Sequence, residues 1–181
     1  MEYLIQAIGI VGAVFAFIAF QNKHHFRILL LKTCSVLCFS LQFGLMRAYT
    51  GMAMNVVETV VLLTSAFLVA KNKKTLPFVI TASVLCVVIG ALSWVGYASL
   101  LAIAGELFVT VASGVRNPKY LRCIFFFGSL CWLIYDSICF SLGGIITEVF
   151  SLASIIIATV MLLREERKQK KQAEQTNETD E

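Results

Sequence analysis

Apolar residues run along this chain in long, nearly uninterrupted blocks. They show neither the two-residue alternation of a half-buried strand nor the one-sided stripe of a water-facing helix. Crossing roughly 30 Å of hydrocarbon takes about 20 residues at about 1.5 Å each. Read between polar clusters, the blocks predict seven helices: Tyr3 to Phe20, Ile28 to Met46, Met52 to Ala70, Leu76 to Trp94, Tyr97 to Val115, Leu121 to Leu142 and Ile145 to Leu163. Polar loops at Gln21 to His25, Lys71 to Lys74 and Arg116 to Lys119 separate them, and Gly143-Gly144 reads as a turn. The break at Val95-Gly96 is weak. The stretch Leu76 to Val115 is nevertheless close to twice a bilayer thickness, so a hairpin is expected there.

Composition agrees. The 181 residues are 59% hydrophobic and 14% charged, with mean hydropathy +0.83, against about 25% charged in soluble domains. This excludes a soluble enzyme, a nucleic-acid reader and a disordered scaffold, and makes the lipid bilayer the main partner. The stretch Arg164 to Glu181 is the exception: its five basic and six acidic residues make a charged, solvated end.

Charge also predicts topology, because cytoplasmic loops collect Lys and Arg. With the N-terminus outside and the C-terminus cytoplasmic, fourteen of the fifteen basic residues fall on the cytoplasmic side, and only Arg47 falls outside. Lys32 and Arg122, in the first turns of their helices, are expected to snorkel back to the interface. Met1-Glu2 lacks a basic leader region, so the first helix reads as a mature span.

A shift of 93 residues superposes the first three helices on the last three. Gly12, Phe15, Leu37, Cys38 and Gly51 meet Gly105, Phe108, Leu130, Cys131 and Gly144, while Phe39 meets Trp132 and Asn55 meets Glu148. A triplet reverses the direction of the chain, so the helix between the triplets restores a parallel orientation. The expected fold is all-α and polytopic, a 3+1+3 plan of two parallel three-helix bundles. The repeats cover 1–70 and 97–163, the linker helix lies in 71–96, and the tail is 164–181. Parallel repeats about an axis along the membrane normal are a transporter architecture.

Gln21, Asn55 and Trp132-Leu133-Ile134-Tyr135 make the chain similar to the SWEET, SemiSWEET and PQ-loop carriers. Cys131-Trp132, Ser141-Leu142-Gly143-Gly144 and Glu148 resemble the YgjV family of bacterial inner-membrane proteins over nearly the whole chain. The resemblance implies an inner-membrane location and a SWEET-like small-solute carrier. Phe20 stands where those carriers have a hinge proline, and Glu148 where they have a second asparagine, which makes a neutral sugar a less natural ligand.

Acids within spans usually face a partner or a wet cavity. Four lie in the apolar blocks: Glu58, Glu106, Asp136 and Glu148. Asn55 and Glu58 are three apart on one helix face, as are Trp132 and Asp136 at four apart. The expected solute-binding set is therefore Asn55, Glu58, Trp132, Asp136 and Glu148. Against this, Glu148 as a brace for the glycine turn and Asp136 as an interfacial acid are equally natural. Acidic lining points to a cationic or proton-coupled solute, since desolvation favours an acid's neutral form.

Other chemistry is thin. Cysteines 34, 38, 86, 123, 131 and 139 lack metal spacing and read as small hydrophobes, so no metal, cofactor or disulfide is expected. His24-His25 reads as a solvated loop. Gln42 can hydrogen-bond across helices, with packing its favoured role, and Gly12 with Ala16 and Gly44 with Ala48 are expected to mark close helix contacts. The reading is a carrier without enzymatic activity or nucleic-acid partners. A homo-oligomer is left open, and the alternative is a non-transporting structural or regulatory membrane protein.

Overall fold

The computed structural model describes residues 2–21, 25–71, 76–115 and 117–179. Within them lie seven helices and no strand: α1 (Glu2–Gln21), α2 (His25–Leu45), α3 (Tyr49–Ala70), α4 (Leu76–Leu92), α5 (Ser99–Gly114), α6 (Pro118–Cys139) and α7 (Leu142–Thr179). Three stretches of the described residues, Glu2–Ala19, Lys119–Cys139 and Leu142–Arg164, are long and apolar enough to cross a membrane. Leu30–Leu45, Leu76–Leu92 and Ser99–Gly114 are shorter apolar helices. Loop residues 22–24, 72–75 and 116, including His24, lie outside the described residues.

The ends of the helices follow local chemistry. The Val95-Gly96 break is real: α4 stops at Leu92, and the Ser99 hydroxyl accepts the Val95 N–H at 3.1 Å as α5 begins. Pro118 opens α6 rather than preceding it, since proline suits the first helical turn, and the Asn117 side chain caps the Lys119 N–H at 3.0 Å. α7 runs on to Thr179 through a stretch rich in Arg, Lys, Glu, Gln and Ala, all good helix formers, so the tail extends the last helix.

Gly143-Gly144 is not the turn. Both residues sit inside α7, and the chain reverses at Phe140, whose φ of 56° is left-handed. There the Ser141 N–H donates to the Asp136 carbonyl at 2.9 Å and closes the end of α6. The glycines serve packing. A Cβ on Gly143 would meet the backbone of Gly9 in α1, and one on Gly144 would meet the carboxyl group of Asp136. Gly12 does pack tightly, against Cys38 and Ser35 of α2, as expected of a small-residue contact. Gly44 and Ala48 do not form a helix-face pair, because Ala48 lies in the turn after α2 has ended at Leu45.

α1 packs on α2 and α7, α2 on α3, α3 on α5, α5 on α6 and α6 on α7, which closes a ring of six helices. α4 lies outside the ring, against α3 and α5. The ring turns apolar side chains such as Ile10, Val14, Leu37, Leu41, Ile134 and Ile138 outward and wholly buries Gln42, Glu106, Thr110 and Ser141. An apolar exterior around polar interior groups is the reverse of a water-soluble bundle.

Candidate functional site

The ring encloses a cavity of about 460 Å³, within the range of small-molecule sites. Its wall draws on α1, α2, α3, α5, α6 and α7, and it contains all five residues of the expected set: Asn55, Glu58, Trp132, Asp136 and Glu148. Helical spacing brings them together: Asn55 and Glu58 share one face of α3, and Trp132 and Asp136 share one face of α6.

Exposure falls along the cavity from 38% at the Lys32 side chain to 2% at Phe43. At the deep end Phe43 stacks on Trp132 with ring centroids 6.3 Å apart, and Tyr135 lies 5.4 Å from Phe43 and 5.7 Å from Trp132. Asp136 is 3% exposed and lies against Ser141 and Gly144, and its Oδ1 has no hydrogen-bond partner. The bland expectation of a solvated, interfacial Asp136 is therefore overturned. Glu148 pairs with the Ser129 hydroxyl of the neighbouring α6 on the cavity wall rather than bracing a glycine turn. The Asn55 amide donates to the Gly51 carbonyl at 2.9 Å, which leaves its oxygen toward the cavity wall.

A hydrogen-bonded layer seals the deep end. Gln6 Nε2 donates to the Phe140 carbonyl at 2.7 Å, Gln42 Nε2 donates to Gln6 Oε1 at 3.3 Å, and Ser141 Oγ donates to Gln42 Oε1 at 3.1 Å. The Gly51 N–H donates to the Tyr135 hydroxyl at 2.9 Å. Gln42, expected to serve packing, is the centre of this layer, and Gln6 drew no notice in the sequence because its partner Phe140 is 134 residues away.

Two bases near helix starts find partners on neighbouring helices. Lys32 Nζ lies 3.4 Å from Glu58 Oε1, and Arg122 Nη1 donates to the Ala158 carbonyl at 2.6 Å; both side chains line the cavity. Both cations line the cavity but were not placed there from the sequence, where their position near helix starts suggested an interfacial role. Glu106 stands behind the wall, fully buried; Thr110 Oγ1 donates to its Oε1 at 3.2 Å and its Oε2 is unpartnered. Among the described residues no group of three or more His, Cys, Asp and Glu side chains is placed to hold a metal ion.

A helical ring with an apolar outer surface, polar groups inside and a cavity between its helices defines an integral membrane protein with an internal site. Residues 3–166 match the Imp-YgjV family, described as a bacterial inner membrane protein, and the chain belongs to that family. No curated protein and no solved structure matches it.

Proposed function

We infer that this protein is a small-solute carrier built on two parallel three-helix repeats, with α4 as the linker. The observation that carries this reading is the wall of the cavity. Positions 93 residues apart occupy it together: Ala16 with Val109, Val36 with Ser129, Phe39 with Trp132, Phe43 with Asp136, Asn55 with Glu148, and Glu58 with Ser151. Packing repeats as well. Gly12 seats the ring of Phe39, and Gly105, its mate, seats the indole of Trp132. The contacts of α1, α2, α3 and α5 in sequence match those of α5, α6, α7 and α1. A cavity on the axis between two such triplets is what alternating access by rocking requires.

On this reading the N-terminus is outside, the cavity opens on the basic, cytoplasmic side, and the protein catalyses no covalent reaction. Glu148 holds charge or a proton at the midplane. Uptake by proteoliposomes across a pH series tests it: Glu148→Gln is expected to abolish pH dependence and to lower the rate at least tenfold. Unchanged rate and pH profile in that variant sink the coupling role.

The rival reading, a non-transporting membrane protein that docks a cytosolic partner, draws on the continuation of α7 to Thr179. Deleting residues 165–181 separates the two. A carrier retains flux after the deletion, whereas a docking protein loses its partner and has no flux to retain.

A further inference from the structure

We propose that the part of the cavity lined by Asp136, Glu148, Trp132 and Phe43 is a binding site for an organic cation: a protonated amine carried on an apolar body. The proposal rests on the carrier reading for its biological use and names the class of solute that this site takes.

Three observations narrow the ligand. First, among the described residues no base forms an ion pair with either acid. Lys32, the base whose charge reaches Glu148, has its ammonium engaged by Glu58 at 3.4 Å. Arg122 is bound to the Ala158 carbonyl, about 20 Å along α6 from Asp136 by helix rise. Asp136 is 3% exposed and lines the cavity, and its Oδ1, packed against Gly144, has no hydrogen-bond partner, so the carboxyl group is desolvated with an acceptor unused. An ammonium group supplies what it lacks: N–H donors and a positive charge.

Second, the remaining wall is aromatic and aliphatic. Phe43 and Trp132 stack with centroids 6.3 Å apart, and Phe39 and Val36 extend the apolar surface. Ring faces attract a cation sited within about 6 Å of the centroid and also bury hydrocarbon, which combines the two halves of an amphipathic amine. Third, the cavity's 460 Å³ far exceeds the room a bare inorganic ion occupies, and among the described residues no metal-binding cluster is present. Gly144 keeps the position of Asp136 possible, because a Cβ there would collide with the carboxyl group.

The test uses full-length protein in lipid nanodiscs and three probes of closely similar size: phenethylammonium, the neutral 2-phenylethanol and the anionic phenylacetate. Binding is read from the fluorescence of Trp132 in a Trp94→Phe background, Trp94 being an exposed residue outside the cavity. The expected result is saturable binding of phenethylammonium at least tenfold tighter than the alcohol, with no response to the carboxylate. Asp136→Asn is expected to bring amine and alcohol within twofold of each other, and Asp136→Glu to restore part of the preference. Equal affinity of amine and alcohol in the unaltered site, or a preference for the carboxylate, overturns the proposal; that comparison needs no variant to fold.

Flux keeps the two readings apart. Amine binding without transport in proteoliposomes leaves the site standing and removes the carrier reading. Transport of neutral solutes without an amine preference does the opposite.

Discussion

At the scale of single residues, close approach and unpartnered acids decide what this protein can do. Gly143 touches the backbone of Gly9, so α1 and α7 meet main chain to main chain. No side chain can rotate away to admit a methyl group there, and the helices must separate. Gly143→Ala is therefore expected to cost about 1–3 kcal/mol, the usual toll of overpacking, seen as a lowered thermal midpoint of the purified protein. An unshifted midpoint would mean that the helices stand farther apart than described. Asp136 and Glu106 each keep an oxygen without a partner although they are buried. In the sequence these acids were visible as acids, and the spacing of Trp132 and Asp136 correctly placed both on one wall. The engagement of Lys32 by Glu58 was not visible, because a base near a helix start has an equally natural route to water and only the fold supplies its partner.

Helices bring a second class of contact. Thr50 of α3 and Ser99 of α5 share a hydroxyl–hydroxyl hydrogen bond of 2.8 Å, and Thr50 also donates to the Ser93 carbonyl. The end of α4, the start of α5 and the start of α3 are thereby tied at one point. Hydrogen bonds between helices in membranes average about 0.6 kcal/mol and reach about 1.7. A double-mutant cycle with Thr50→Val and Ser99→Ala, followed by denaturation in mixed micelles, is expected to give a coupling in that range; additive effects would show that the pair is incidental. The number of helices and most of their breaks were legible from apolar block length. Gly143-Gly144 misled because glycine serves equally for turns and for close packing, and the true reversal at Phe140 uses a residue with no turn preference. The continuation of α7 was hidden for another reason: charge marks solvation, and a solvated segment can still be helical.

For the whole molecule, the distribution of polar contacts separates the two ends of the bundle. At the sealed end the hydrogen bonds join the first three helices to the end of α6 and the start of α7: Gln42 to Ser141, Gln6 to Phe140, Gly51 to Tyr135. At the open end Lys32 pairs with Glu58 of α3, and Arg122 of α6 with the Ala158 carbonyl of α7. In a cysteine-free background, Ser154→Cys is expected to react with a membrane-impermeant maleimide, and Phe43→Cys to be protected. Adding Gln42→Ala is expected to raise labelling at position 43 several-fold. Equal labelling of both positions from the start would contradict a sealed end. Reagent applied to inside-out and right-side-out vesicles in turn also reports which face the open end occupies.

On the carrier reading, this asymmetry makes the bundle a pair of levers clamped at one tip. The Gly9–Gly143 contact and the Thr50–Ser99 bond stand on opposite sides of the sealed layer, so the line through them is a natural pivot. From there to Arg122 the arm is roughly 20 Å, the rise of α6 between Asp136 and Arg122. Turning one triplet by about 5° about that line moves its free tip by roughly 2 Å, about the radius of a methyl group, and leaves the clamped tip almost still. Small rotations therefore adjust the width of the mouth, while exchanging which tip is free requires the clamp itself to break.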